Sequence, residues 1–168
     1  MIEPEDFLNF IKNRRTIRNF QEKSISEKEI GMILEAGRWA PSASNRQPWE
    51  FIVIKNKEIL KVISKLARYG KFIEQSPVAI AIVGKKKVSS KWYLQDTSLV
   101  SMNMILMAWS LNIGTCWIGN LNREKAKEIL KVSKDDFLLT ILPFGYIKGE
   151  IPQPTNRKDL DKIKREIV

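Results

Sequence analysis

Residues 14–20 read Arg-Arg-Thr-Ile-Arg-Asn-Phe, and residues 40–49 read Ala-Pro-Ser-Ala-Ser-Asn-Arg-Gln-Pro-Trp. The first stretch places three guanidinium groups within five residues. Arginine offers a planar set of charged donors that matches the geometry of a phosphate. The second stretch is a turn-prone run of small side chains that form hydrogen bonds, and it precedes an apolar run. Together they predict a ligand with an anionic end and a flat polar ring.

The composition is that of an ordinary globular domain, and we expect a single domain over residues 1–168. The chain is 43% hydrophobic and 29% charged, with no histidine and one cysteine, Cys116. These absences exclude a Ser-His-Asp triad, a Cys-His pair, an imidazole-ligated zinc site and an intrachain disulfide. We therefore expect no metal site and no catalytic side chain, and a chemistry in which a cofactor moves the electrons.

The chain is strongly basic, with 29 Lys and Arg against 19 Asp and Glu, a net charge of +10. Nucleic acid is the obvious partner for such a charge, but no helix-turn-helix, RRM or zinc-finger motif accompanies it. We interpret the charge as an anion site on a lysine-rich surface, with no nucleic-acid partner. The acidic start lacks a signal-peptide pattern, and polar residues interrupt the apolar stretch 98–113. We expect a cytoplasmic protein without a membrane partner.

Apolar spacing and capping signals predict an α+β fold rather than a doubly wound one, because helices and strands alternate without a strict βαβ rhythm. Ser26 and Glu29 form a capping box that opens a helix ending before Pro41. We expect the methionines at 102, 104 and 107 and most tryptophans in the core, and Gly114 as a helix cap or turn. Strands are predicted at residues 51–54, 77–84, 115–118 and 137–142. Further helices are predicted to end near Arg14 and to span about 57–68, 92–111, 122–130 and a basic terminal stretch from about 159.

The order of these segments resembles that of the nitroreductase family of flavin enzymes. Beyond the two opening stretches, the resemblance includes the helix 96–114 with Asn103, Cys-Trp-Ile-Gly at 116–119, Leu-Pro-Phe-Gly-Tyr at 142–146, and Asn-Arg-Lys at 156–158. It implies a central, mostly antiparallel sheet flanked by helices. It also implies a homodimer with a domain-swapped C-terminal segment and FMN at the subunit interface.

The resemblance also implies a set of flavin-binding residues. The family's first flavin-binding segment corresponds to Arg14, Arg15, Thr16 and Arg18, and the segment that reaches FMN from the other subunit corresponds to Pro41, Ser42, Ala43 and Asn45. The backbone at the reactive edge of the ring corresponds to Ile118 and Gly119. A phosphate ligand in the tail corresponds to Arg157.

The chemistry of these residue types suits such a ligand. We assign Arg14 and Arg157 to the phosphate, and Arg18 to the negative charge that develops on a reduced flavin ring. A backbone N–H at Ile118 or Gly119 would face the ring's N5, which accepts hydride. Each assignment has a structural alternative: cations at a helix C-terminus, ordinary turn residues, or a turn glycine.

We therefore predict an FMN-dependent oxidoreductase that takes hydride from NAD(P)H and reduces a flat electron-poor acceptor by a ping-pong mechanism. The acceptor would be a nitroaromatic, a quinone or another flavin. Alternatives are reductive dehalogenation or flavin fragmentation on the same fold, a flavin carrier without turnover, and a basic nucleic-acid-binding domain. Only residues 69–77 and 85–92 could cover the site. Thr155 replaces a lysine found in some relatives, so that one phosphate contact is missing or is supplied by Lys158.

Overall fold

A computed structural model describes residues 2–167, which form five α-helices and a four-stranded sheet. The helices are α1 (Pro4–Asn13), α2 (Glu27–Arg38), α3 (Lys57–Leu66), α4 (Tyr93–Ser110) and α5 (Arg123–Ile129). The strands are β1 (Trp49–Ile54), β2 (Val78–Gly84), β3 (Ile113–Thr115) and β4 (Phe137–Tyr146). Short 3-10 turns occupy Ala43–Asn45, Lys71–Gln75 and Leu160–Lys162.

The sheet is antiparallel throughout, in the order β1-β2-β4-β3, which confirms the predicted α+β class. All seven residues of β2 are buried, so both faces of the sheet are covered. Because side chains alternate along a strand, Val78, Ile80 and Ile82 pack with α2 and α4 on one face. Ala79, Ala81 and Val83 pack with α3 and α5 on the other.

The capping box predicted at the start of α2 is confirmed. Ser26 Oγ accepts the backbone N–H of Glu29, and the Glu29 carboxylate accepts the backbone N–H of Ser26, which completes the capping box. Asn122 caps α5 through the N–H of Lys125. On α4, Asn103 Nδ2 donates to the carbonyl of Ala36 at 3.1 Å, so this amide joins α4 to α2.

The largest errors in the predicted strands are at β3 and at the end of β4, and Pro143 explains where β3 ends. The predicted strand 115–118 is instead Ile113–Thr115, and β4 runs through Pro143 to Tyr146. Thr115 pairs with Phe144, so the next pair would join Cys116 to Pro143, which has no N–H to donate. The ladder between β3 and β4 therefore stops there, and residues 116–119 leave the sheet.

Several tryptophan and methionine side chains that were expected in the core are exposed instead. Trp39 is 72% exposed, Trp92 47% and Trp117 40%, and Met102 lies on the surface as well. Gly114 is not a helix cap: it lies in β3, and Asn112 has the left-handed conformation after α4.

The predicted terminal helix is wrong too. Residues 160–162 form only one 3-10 turn, and every residue from 148 to 167 is exposed. A helix this short is marginal in water unless one of its faces packs on something.

None of the helices within residues 2–167 is long and apolar enough to cross a membrane. The cytoplasmic location stays a prediction.

Candidate functional site

The arginine-rich segment 14–20 lies along the edge of the sheet formed by β3 and the end of β4. The N–H of Ile17 donates to the carbonyl of Thr115 at 2.9 Å, and Phe20 forms an antiparallel bridge with Ile147. Ile17 and Phe20 are buried, whereas Arg14 is half-buried and Arg18 is exposed. The segment is thus anchored by its apolar side chains and presents its guanidinium groups outward.

Two glycines of the sheet make this close approach possible. A Cβ at Gly114 would lie 2.6 Å from Cβ of Ile17, and a Cβ at Gly145 would lie 2.8 Å from Cβ of Phe20. Any larger residue at either position would push the segment off the sheet. These glycines therefore fix where the arginines of segment 14–20 are held.

The structure brings Arg14, Arg15 and Arg157 together into one cluster of positive charge. Burial lowers the pKa of the Arg14 guanidinium, and the nearby charges of Arg15 and Arg157 lower that pKa further. Among residues 2–167, none of the three has a carboxylate within ion-pair distance. A half-buried guanidinium beside two uncompensated cations is the environment of an anion-binding site.

Arg15 also has a structural role that the sequence did not reveal. Its Nε donates to the carbonyl of Pro152 at 3.0 Å, and its Nη1 donates to the carbonyls of Lys12 at 2.6 Å and Arg14 at 2.9 Å. Arg15 thus ties the start of the tail to the end of α1.

Arg157 and Thr16, the other predicted binding residues near the arginine cluster, are held in different ways. Arg157 Nη1 donates to Thr155 Oγ1 at 2.6 Å, so Thr155 orients the arginine. Thr16 is half-buried in the anchored segment. The predicted role of Thr16 in binding stays a prediction.

Further along the segment, Arg18 lies at a cavity of about 130 Å³ together with Ile118 and Gly119. The sequence grouped these three residues, and the structure brings them together. The cavity is smaller than the roughly 300–1,000 Å³ of typical ligand pockets. Its other lining residues are Ala67, Tyr69, Gly70, Phe72, Cys116, Trp117 and Asn120.

The backbone at Ile118 and Gly119 is held through its carbonyls, which leaves its N–H groups free. Thr140 Oγ1 donates to the carbonyl of Ile118 at 3.1 Å, and Arg123 Nη2 donates to that of Gly119 at 3.0 Å. Within residues 2–167, neither N–H at 118 or 119 has an acceptor. Two unpaired donors beside a cavity can bind an acceptor atom of a ligand.

Gly119 is not explained by the packing of its own chain. A Cβ there would meet no described atom closer than 4.0 Å, and its φ is not in the left-handed region. The ordinary reasons for a glycine, a positive φ or a close internal contact, are therefore missing. Close approach of a ligand to the backbone is a reason that remains.

The second stretch forms a constrained loop between α2 and β1. Three of its non-glycine residues have positive φ, namely Ser44 and Asn45 at 53° and Gln47 at 49°. Ser42 Oγ accepts the N–H of Gln47 at 3.0 Å, and Gln47 Nε2 donates to Asn45 Oδ1 at 3.3 Å. Such strain persists where the surroundings enforce it, and it clusters at functional sites.

A buried acid at the start of α4 holds this loop in place, and the sequence analysis missed it. Asp96 Oδ1 accepts the N–H of Ala43 at 3.2 Å, and Asp96 Oδ2 has no hydrogen-bond partner within residues 2–167. The only signal was a single carboxylate within an otherwise uncharged helix. Neither Ala43 nor the exposed Pro41 lines the cavity at Arg18 of the same chain, so the two predicted parts of the site do not meet within one chain.

Cys116 is buried against this cavity. Burial raises the pKa of its thiol, and the neighbouring Arg18 opposes that rise. The side chain packs as a small apolar residue.

Comparison with known proteins gives a consistent answer. A family model described as "Nitroreductase family" matches residues 11–69 and 64–146. A protein of Archaeoglobus fulgidus named "Putative NADH dehydrogenase/NAD(P)H nitroreductase" is 34% identical over 171 residues, covering 96% of this chain and 98% of its own. Iodotyrosine deiodinase 1 of Rattus norvegicus is 26% identical over 198 residues, covering 95% of this chain and 68% of its own.

A solved structure shows that the similarity extends to the fold. The FMN-dependent nitroreductase of Clostridium difficile R20291 superposes with a TM-score of 0.85 at 29% identity, covering 95% of this chain and 98% of that one. The match extends over nearly the whole length of both chains.

Proposed function

This chain belongs to the nitroreductase family, and we propose that it binds FMN and uses NAD(P)H to reduce a flat, electron-poor acceptor. The acceptor would be a nitroaromatic, a quinone or another flavin. The observation that carries the proposal is the uncompensated cluster of Arg14, Arg15 and Arg157, of which Arg14 and Arg15 lie on the same anchored segment as Arg18.

The phosphate of FMN fits the arginine cluster. Arg14 and Arg157 would donate to it, while Arg15 keeps the tail against α1. A hydrogen bond between charged groups contributes about 1.5–3 kcal/mol. Two such bonds would hold the cofactor through purification, and the anion would relieve the repulsion among the three cations.

The ring of FMN would lie against the wall of the cavity at Arg18. The free N–H groups of Ile118 and Gly119 would donate to the ring edge, and the Arg18 charge would stabilise negative charge on the reduced ring. Bound FMN supplies hydride transfer in two half-reactions, from NAD(P)H to the acceptor. The protein then needs no general base, which agrees with the lack of histidine.

We also propose a homodimer in which the tail of each chain lies on its partner. Residues 148–167 are all exposed, including Ile151, Leu160 and Ile163. Apolar side chains on an unpacked segment favour an interface. The loop 41–47 lies away from its own chain's cavity, so a partner subunit would bring Pro41, Ser42, Ala43 and Asn45 to the FMN.

Reductive dehalogenation is a second candidate, because the likeness to iodotyrosine deiodinase 1 covers 95% of this chain. It shares the proposed FMN site and differs only in the acceptor. Halogenated phenols and nitroaromatics, offered to the same reduced protein, would distinguish the two.

The visible absorption spectrum of the purified protein, before and after NADH or NADPH under argon, tests the proposal. We expect a yellow protein that is bleached by the dinucleotide and recovers its colour when an acceptor is added. A yellow protein that neither dinucleotide bleaches would be a flavin carrier. A colourless protein that refuses added FMN and binds DNA in a strongly salt-dependent way would be a nucleic-acid-binding domain.

A further inference from the structure

An arginine beside the cavity has no role in the proposed function. Arg68 follows α3, and the central carbon of its guanidinium group lies 5.4 Å from the centroid of the Tyr69 ring. Tyr69 lines the cavity and is 73% exposed. A positive charge is therefore stacked on one of the aromatic walls of the site.

The turn that carries these two residues is fixed to the opposite wall. Ala67 forms an antiparallel bridge with Leu121, the N–H of Asn122 donates to the carbonyl of Leu66 at 3.0 Å, and the N–H of Gly70 donates to that of Ala67 at 3.0 Å. Arg68 and Tyr69 are thus held at the rim by the same chain region that carries Gly119.

A similar stack elsewhere in the molecule shows what is unusual here. Arg38 lies over the Trp39 ring at 5.1 Å, but it donates two hydrogen bonds to Glu35. Hydrogen bonds from Arg38 and Trp39 lower the pKa of Glu35 to about 2. Among residues 2–167, Arg68 has no carboxylate within ion-pair distance. Its charge is free to bind a ligand.

The cavity itself favours a flat anion. Tyr69, Phe72 and Trp117 supply aromatic surfaces, and no Asp or Glu is among the described residues that line it. Arg18 is the one charged lining residue, and the proposed function already pairs it with the reduced ring. Arg68, stacked on Tyr69 at the rim, is then a free cation for the anionic group of a second molecule.

We propose that this cavity selects flat ring ligands that carry a carboxylate or phosphate, and that Arg68 recognises the anionic group. The inference rests on the proposed function, because it takes the cavity as the place where acceptor and dinucleotide bind. Two sources supply such an anion: a carboxylate on an aromatic acceptor, or the 2′-phosphate of NADPH.

Equilibrium binding to the oxidised, FMN-loaded protein tests the inference without turnover. Calorimetry would compare 4-nitrobenzoate with 4-nitrobenzamide, and NADP⁺ with NAD⁺, for the wild type, Arg68→Gln, Arg68→Lys and Lys61→Gln. Lys61→Gln is the matched control, because it removes one exposed positive charge from α3.

We expect the wild type to bind the more anionic member of a pair more tightly. Arg68→Gln should reduce that preference about threefold to fivefold, the range for an exposed ion pair. Arg68→Lys should retain part of it, Lys61→Gln should retain all of it, and added salt should weaken it. A loss of preference between 4-nitrobenzoate and 4-nitrobenzamide would identify the acceptor carboxylate as the anion, and a loss of preference between NADP⁺ and NAD⁺ would identify the 2′-phosphate.

Unchanged ratios for both pairs in Arg68→Gln, in a protein that holds FMN and is bleached by NAD(P)H, would overturn the inference and leave the proposed function standing. A protein that holds no FMN, or that no dinucleotide bleaches, would overturn the proposed function and the inference with it.

Discussion

The arginine segment 14–20 and the tail 148–167 both carry guanidinium groups, but only the segment is packed on its own chain. The segment buries Ile17 and Phe20 against the glycines of β3 and β4. The tail is exposed throughout; Lys148 exchanges two hydrogen bonds with Asn19, and beyond it Arg15 donates to the carbonyl of Pro152. The difference is the basis of our proposal that the segment is positioned by its own chain, whereas the tail packs on a second chain.

Removing the tail is the strongest way to test this comparison. A chain that ends after Lys148 should keep its fold, because the tail buries none of its residues on its own chain. It should lose the proposed dimer, so that the mass in sedimentation falls to about half, and it should purify without FMN. A chain that ends after Lys158 keeps Arg157 and separates the loss of charge from the loss of the interface. A truncated dimer that retains FMN would contradict the proposed role of the tail.

Arg14→Ala tests the half that one chain supplies. Loss of a charge-assisted hydrogen bond to phosphate should weaken FMN binding about tenfold to a hundredfold. The apoprotein should melt no lower than the wild type, because removing Arg14 relieves repulsion with Arg15 and Arg157. Inorganic phosphate should stabilise wild-type apoprotein more than the variant. FMN titration and thermal unfolding would measure these effects, and undiminished FMN affinity would refute the phosphate assignment.

Alanine substitutions at Gly114 and Gly119 distinguish a glycine required for packing of the chain from one required for FMN binding. Gly114→Ala should destabilise the protein by about 1–3 kcal/mol, since the new Cβ would lie 2.6 Å from Ile17. Gly119→Ala should leave urea unfolding of the apoprotein nearly unchanged, because no described atom lies within 4.0 Å, yet it should weaken FMN binding. Equal destabilisation by the two substitutions would show that Gly119 serves packing instead.

The smallest expected effects come from Arg18→Ala. The variant should keep FMN but lower its reduction potential by about 10–30 mV, the equivalent of one partly exposed charge. Because Arg18 opposes the upward shift in the pKa of the Cys116 thiol, its loss should raise that pKa further. The alkylation rate of the apoprotein would then rise only at higher pH than in the wild type. An unchanged potential together with an unchanged pH profile would remove Arg18 from the ring site.

Much of the fold was accessible from the sequence, because the signals were local. The capping box at Ser26, the long helix α4 and the buried strand β2 follow from spacing and side-chain type alone. The end of β3 was not accessible, since it depends on Pro143 facing Cys116 across the sheet.

Some residues of the candidate site could likewise be found from the sequence, and others could not. The sequence grouped Arg18 with Ile118 and Gly119, and the three residues line one cavity in the structure. It could not find Asp96, whose hydrogen bond to Ala43 spans 53 positions of the chain. It also placed most tryptophans in the core, because burial in a helix or loop depends on tertiary neighbours that residue type does not report.

Complementation between two defective variants tests the central claim most directly. Arg14→Ala alters the segment and Asn45→Ala alters the loop, so each homodimer should bind FMN poorly. If each site combines the segment of one chain with the loop of the other, a mixed dimer contains one intact site. Co-refolding the two variants in equal amounts should then restore about a quarter of all sites, measured by FMN binding. No recovery above the separate variants would contradict a site shared between two copies of this chain.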